Sequence, residues 1–184
     1  MIESRVKFEK ELEEKIDNLI MNNEFSNIIF LCIGTSKIIG DAIGPIVGSK
    51  LKSIENGYIQ IYGTLENNLN FNNAKEILEN INSNYTNPCI ITIDAALSNN
   101  NLGSIFLGNG FIKIGKALEK CLCFYSDVNI KCVVGNYYND KRKNIEILQE
   151  VTIEEVSKMT RVIADGIKNV LKKKYIYDNI SISG

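Results

Sequence analysis

Apolar positions along this chain follow two different periods. "NIIFLCIG" (27–34) and "PCIITIDA" (88–95) are short, continuous, β-branched runs, the pattern of strands covered on both faces in a parallel sheet. "YIQIYGT" (58–64), "LGSIFLG" (102–108) and "VNIKCVVG" (128–135) read as three further strands. Between and around them the period lengthens to that of a helix. Residues 3–22 form a charged amphipathic helix with Leu12, Ile16, Leu19 and Ile20 as a narrow stripe expected on the outside of the domain. Ile43, Ile46, Val47, Leu51 and Ile54 mark a helix that starts close to Asp41, with Pro45 tolerated in its first turn because N–H groups there lack intrahelical partners. "NNAKEILENIN" (72–82) is a third helix, and the capping box Thr152-Ile-Glu-Glu155 opens a fourth that runs to about Lys173. The stretch "IKIGKALEKCLC" (112–123) reads equally as helix or irregular crossing segment.

This alternation predicts an α/β fold: a three-layer α/β/α sandwich around a mixed, mostly parallel five-stranded sheet. No repeat or linker interrupts it, so residues 1–184 are expected to form one domain.

Charge narrows the partners. With 21 Lys plus Arg against 22 Asp plus Glu and a formal net charge of −1, there is no basic field for nucleic acid or an anionic membrane. The densely charged first residues lack the core of a signal peptide, and no apolar run is long enough to span a bilayer, so a cytoplasmic location is expected. Five cysteines in mostly apolar stretches, an odd number, read as small buried residues. Cys121, Cys123 and Cys132 lack the CxxC spacing of a zinc site. The Asn-rich stretches read as solvated turns.

Histidine is absent, which removes Ser-His-Asp and Cys-His catalysis together with every His-containing metal site and leaves carboxylates, lysine or thiols to move protons. Two carboxylates stand where such chemistry is expected. In open α/β sheets ligands sit beyond the carboxyl ends of the strands, where the winding reverses. Were the first and third strands neighbours, with the second outside the first, Asp41 and Asp94 would overhang one crevice. Gly34-Thr35-Ser36 and Gly63-Thr64 would then supply its rim. The helix N-terminus would keep Asp41 ionised at a low pKa, while the apolar strand and the nearby like charge would raise that of Asp94. Such a pair can divide base and acid work on a water molecule, or hold a hard cation such as Mg²⁺. Taken singly, Asp41 also suits a helix N-cap and Asp94 a strand-end turn. "GTSKIIGDAIG" lacks the GxGxxG and GK[ST] spacings of nucleotide-binding loops. Lys37 and Lys113 could meet a substrate, although an exposed lysine is usually just solvated.

"IGTSKIIGDAIGPIVG", "YGTLENN" and "IITIDAALSNNNLGSI", in that order and spacing, with weaker echoes at Gly115-Lys116-Ala117-Leu118 and "LQEVT", resemble the sporulation protein YyaC family of spore-forming Firmicutes. Between 108 and 127 the chain departs from that family's glycine- and proline-rich loop. The family is in turn similar to the germination proteases and the hydrogenase maturation endopeptidases, which place an acid after the first strand and an aspartate at the end of the third, matching Asp41 and Asp94. The resemblance implies a phosphorylase/hydrolase-like fold, a sporulation role in the mother cell or forespore, and a peptide or protein substrate. Catalysis would rest on Asp41 and Asp94, with Thr35, Ser36, Gly63 and Thr64 toward the ligand. No cofactor is implied beyond a divalent cation at the aspartate pair. The alternative is a non-catalytic binding or assembly module of spore formation on the same fold.

Overall fold

In a computed structural model describing residues 2–22, 25–114 and 122–181, the chain forms five strands and five helices. They are α1 (Ile2–Asn22), β1 (Asn27–Cys32), a 3₁₀ turn (Ile39–Asp41), α2 (Ile43–Leu51), β2 (Ile59–Tyr62) and α3 (Ala74–Asn84). A second short 3₁₀ turn, Lys52–Ile54, extends α2, and β3 (Pro88–Leu97), β4 (Ile105–Ile114), β5 (Leu122–Gly135), α4 (Lys141–Glu150) and α5 (Ile153–Ser181) follow. The strand order is β2-β1-β3-β5-β4. All neighbours are parallel except β4 and β5, which run antiparallel. The mixed, mostly parallel sheet expected from the sequence is therefore present, with β1 beside β3 and β2 outside β1.

Each face of the sheet has its own core. Phe30 and Cys32 of β1 and Ile91 and Ile93 of β3 pack with Ile43, Val47 and Leu51 of α2 and with Ile163, Ile167 and Val170 of α5. Ile29, Leu31 and Ile33 point the other way, toward Ala74 and Ile81 of α3 and toward Ile112 and Ile114 at the end of β4. Strands clothed on both sides have no use for polar alternation, which is why β1 and β3 read as unbroken apolar runs. α1 lies along α5 with Phe8, Leu12 and Ile16 buried in the first core.

Helix α5 opens on the expected capping box, with Thr152 N–H donating to Glu155 Oε2 at 2.9 Å and Glu155 N–H to Thr152 Oγ1 at 3.3 Å, and it continues beyond Lys173 to Ser181. Three features differ from the sequence reading. α4 was not expected. β4 runs on to Ile114 rather than stopping at 108, and β5 begins at Leu122 rather than 128. Opposite Gly108–Gly110, β5 advances from Ser126 to Asn129, one residue more than β4, a bulge that re-aims the outer part of this hairpin. The side chain of Ile20, and residues 115–121 with the Gly115–Leu118 similarity and Cys121, lie outside the described residues. Cys32, Cys89 and Cys132 are buried as expected, whereas Cys123 is exposed.

Candidate active site

The site begins where β1 leaves the sheet. The β1–β3 ladder closes with Ile33 N–H donating to Ile93 O at 2.8 Å, one residue short of Asp94. At Gly34, φ is +140°, a conformation that L side chains rarely adopt, and the chain swings off so that Gly34 N–H bonds Leu69 O at 2.8 Å. The following loop folds back tightly. Thr35 N–H donates to the backbone oxygen of Asp41 at 3.1 Å and to its carboxylate Oδ2 at 2.9 Å. A Cβ on Gly34 would stand 2.0 Å from the Asp41 carbonyl oxygen.

Asp41 therefore closes the loop on which it sits. It occupies the last position of the 3₁₀ turn, and α2 starts two residues later, after Ala42, which offers no side-chain cap. The expected low pKa is overturned for the same reason: burial pushes the Asp41 carboxyl up to about 6, the Thr35 N–H opposing the shift only in part. Proximity to a helix start cannot outweigh the loss of water around a carboxylate.

Asp94 lies on β3 with its side chain on the face opposite to Ile91 and Ile93. Its pKa is raised to about 8, first by burial and next by the charge of Asp41. The Lys131 ammonium and the Ala95 N–H pull it down less strongly. Both carboxyls are raised, Asp94 further than Asp41, so Asp94 is the member of the pair that keeps its proton to higher pH.

Both aspartates line one cavity of about 570 Å³ at the carboxyl end of the sheet, with Thr35, Lys113 and Lys131 and with apolar walls that include Ile38, Leu97, Phe106 and Val133. Of the residues singled out from the sequence, Asp41, Asp94 and Thr35 come together here, and Lys113 joins them. Ser36 does not line the cavity; its N–H and hydroxyl donate to Asn68 Oδ1 at 2.9 and 3.1 Å. Gly63 and Thr64 are not among the lining residues. A Cβ on Gly48 of α2 would lie 1.9 Å from Gly63 O, and Thr64 is buried with its hydroxyl accepting from Asn67 N–H at 3.1 Å. Their part is to let α2 approach the sheet and to shape the β2 loop. Lys37 does not line the cavity either.

Three contributors escaped the sequence reading. Asn68 ties the two loops together, accepting from Thr35 Oγ1 at 3.3 Å as well as from Ser36, and donating through Nδ2 to Thr64 O at 2.7 Å. Helix α4 supplies Ile145 and Leu148 to the cavity. It presses on the turn that carries Asp41, so closely that a Cβ on Gly40 would lie 2.6 Å from Leu148 O. Lys131 pairs in register with Asp94, and it was legible as the one charge inside "VNIKCVVG". Below this row, on the same face, Thr92, Ser126 and Asn129 are buried. Thr92 Oγ1 donates to Asn129 Oδ1 at 2.9 Å, Ser126 Oγ donates to Val128 O at 2.8 Å, and Asn129 Nδ2 reaches Gly110 O of β4 at 3.4 Å. Full pairing is what makes a buried polar group tolerable.

Among the described residues no three His, Cys, Asp or Glu side chains cluster as metal ligands. The buried Cys32, Cys89 and Cys132 thiols are pushed up, Cys89 to about 12, and stay protonated. Two carboxylates fit a hard, largely water-coordinated cation such as Mg²⁺, and do not fit zinc. Among the described residues no helix is long and apolar enough to cross a membrane.

A family profile described as "Protein of unknown function (DUF1256)" matches residues 3–166. "Uncharacterized protein YyaC" of Bacillus subtilis (strain 168) is 32% identical over 146 residues, covering 76% of this chain and 67% of that protein. Among solved structures, the [NiFe] hydrogenase maturation protease HycI from Thermococcus kodakarensis KOD1 matches 85% of this chain and 98% of its own at 16% identity, with a TM-score of 0.47. A hydrogenase 3 maturation protease matches 68% of this chain and 88% of its own at 14% identity, with a TM-score of 0.38. Likeness at that level bears on neither the activity nor the site residues of this chain.

Proposed function

The chain belongs to the DUF1256 family, and from that premise we propose that it is a hydrolase of peptide bonds in which Asp41 is the general base and Asp94 the general acid. The observation that carries this reading is the pair itself: two carboxyls on one cavity, the second raised to about 8 partly by the charge of the first. Environments that drive two titratable groups apart assign the acid and the base.

The step balances without a further reactant. Ionised Asp41 takes a proton from water as the water oxygen bonds to the scissile carbonyl carbon, and Asp94 gives its proton to the carbonyl oxygen. The resulting diol collapses as Asp41 returns its proton to the amide nitrogen and Asp94 recovers one from a hydroxyl. The C–N bond breaks, leaving a carboxylic acid and an amine. The Thr35 N–H bond to Asp41 Oδ2 keeps one carboxylate oxygen oriented and leaves the other for water. Asp41 and Asp94 are the residues that would hold a hard cation, which would supply electrostatic activation of water and charge stabilisation when bound. A role in sporulation, in the cytoplasm of the mother cell or forespore, draws its support from the resemblance of the segments around Asp41 and Asp94 to the proteins of spore formers.

The test is hydrolysis of peptides from developing-spore extract by wild type, Asp41→Asn and Asp94→Asn, with and without a chelator. Each substitution is expected to lower kcat/KM by about 10²–10⁴-fold. The wild-type pH profile should be a bell whose macroscopic limbs fall near about 6 and about 8. Survival of cleavage in both Asn variants would reject the catalytic reading and favour the binding module. Loss of activity on chelation, restored by Mg²⁺, would assign a cation to the pair.

A further inference from the structure

Two cations stand in the cavity beside the aspartate pair: Lys113 and Lys131 line it together with Asp41 and Asp94. Among the described residues neither lysine enters a salt bridge.

Lys131 is also placed by the sheet rather than by a loop. Asp94 of β3 pairs in register with Lys131 of β5, and Lys131 pairs in register with Phe106 of β4. Registered partners on adjacent strands show their side chains on the same face, at a spacing of roughly 5 Å per strand. Acid, cation and aromatic ring therefore form one row across the cavity floor, and all three line it. A scissile carbonyl held over Asp94 puts the neighbouring group of the substrate over the Lys131 ammonium and a more distant one against Phe106.

We propose that Lys131, with Lys113 on the same cavity, makes the site selective for peptides that carry a carboxylate next to the scissile bond. This rests on the hydrolase reading for its register and deepens it by naming the substrate class. The carboxylate comes either from an acidic side chain or from a chain terminus. A lysine that merely offset the Asp41 charge would give no preference among ligands.

Binding is measured at pH 7 by fluorescence anisotropy with the Asp94→Asn protein, which reproduces the neutral form of that residue without turnover. The probes are labelled peptides of one sequence: internal Glu with an amidated end, internal Gln with an amidated end, internal Gln with a free end, and internal Lys with an amidated end. A carboxylate-bearing probe is expected to bind about tenfold more tightly than its neutral counterpart, the energy of one well-placed ion pair in a partly buried site. The gap should narrow as salt rises. A preference for internal Glu assigns an acidic side chain, and a preference for the free end assigns a terminus. In a Lys113→Gln/Lys131→Gln background the gap should fall to about twofold or less, while Lys131→Arg keeps it and shows that the fold tolerates change there. Equal binding of all four probes, or a preference that outlives both Gln substitutions, overturns the proposal. Preference without hydrolysis by the wild type sinks the hydrolase reading alone, and hydrolysis without preference sinks this one alone.

Discussion

The two sides of the cavity are built on opposite terms. On the β1–α2 side, backbone meets backbone: a Cβ on Gly34 would strike the Asp41 carbonyl at 2.0 Å, and one on Gly44 would strike Ile33 O at 2.1 Å. Along β4 and the turn before it, Cβ atoms on Gly103, Gly108 or Gly110 would meet nothing within 4 Å, tight contact being confined to Gly135 at the end of β5, and Phe111 and Tyr125 stand exposed in an edge-to-face pair with ring centroids 5.7 Å apart. One wall is jammed and holds the proposed base to a single position. The other has room to yield, and it carries the lysines and rings that would meet a substrate. Chemistry needs placement to within a fraction of an ångström, whereas recognition of varied chains does not.

The sharpest break of this contrast is a pair of alanine substitutions. Gly34→Ala combines a φ of +140° with a clash against backbone that has nowhere to go. It is expected to cost about 2–4 kcal/mol of stability and at least about 100-fold in kcat/KM by displacing Asp41. Gly108→Ala, in open space and without positive φ, should change stability by no more than about 1 kcal/mol. Urea denaturation and peptide turnover measure both. Equal costs at the two positions would mean that the walls do not differ in rigidity.

What was legible in the sequence divides along the same line. The tight wall announces itself, because strands buried on both faces must be apolar throughout and the helix beside them keeps an apolar stripe at Ile43, Ile46, Val47, Leu51 and Ile54, so "NIIFLCIG" and "DAIGPIVGSKLKSI" could be read locally. Asp41 and Asp94 were found by placing loops at strand ends. The yielding wall hides in non-local effects. β4 and β5 keep pairing through a bulge at Gly108–Gly110, which the isolated runs 102–108 and 128–135 cannot reveal. Helix α4 buries only Asn144 and Leu148, too narrow a face to show a helical period. Asn144 is itself committed to the Tyr138 backbone, donating to its O and accepting from its N–H, both at 2.8 Å. The pKa of Asp41 was expected too low because desolvation is a property of what packs around a residue, here α4, and that helix is not legible in the sequence.

The half-buried pair also leaves a mark on stability. Both carboxyls have folded pKa values above the ordinary 3.8, so the folded chain binds protons more tightly than the unfolded one. The stabilisation they provide is complete below about pH 4, declines as pH rises, and is gone once pH passes about 6 for Asp41 and about 8 for Asp94. Asp94→Asn removes the larger part of this dependence. Its stability relative to wild type should climb between about pH 5 and pH 9, by an amount on the order of a few kcal/mol. Thermal unfolding of the two proteins across that range measures it, and a constant difference would show that Asp94 titrates near its ordinary value in the folded chain.

A smaller effect tests how the tight wall keeps its shape. Asn68 spans the loops after β1 and β2 through its bonds with Thr35, Ser36 and Thr64, and none of these bonds goes to either aspartate. Asn68→Ala removes the clasp and leaves the acceptor Thr64 O to water, at a cost of about 1–2 kcal/mol. Its effect on chemistry passes through the position of Thr35, whose N–H orients Asp41, so kcat is expected to fall by about tenfold with KM little changed. The lower limb of the pH profile should also shift upward. Part of what holds the Asp41 carboxylate ionised at all is the Thr35 N–H, and a loosened donor stabilises that charge less. Asn68→Asp offers the same acceptor oxygens but no amide donor toward Thr64, and should recover part of the rate. A purely structural role would lower stability while leaving the limb where it is, and would make Asn68 a strut of the jammed wall with no hand in setting its base.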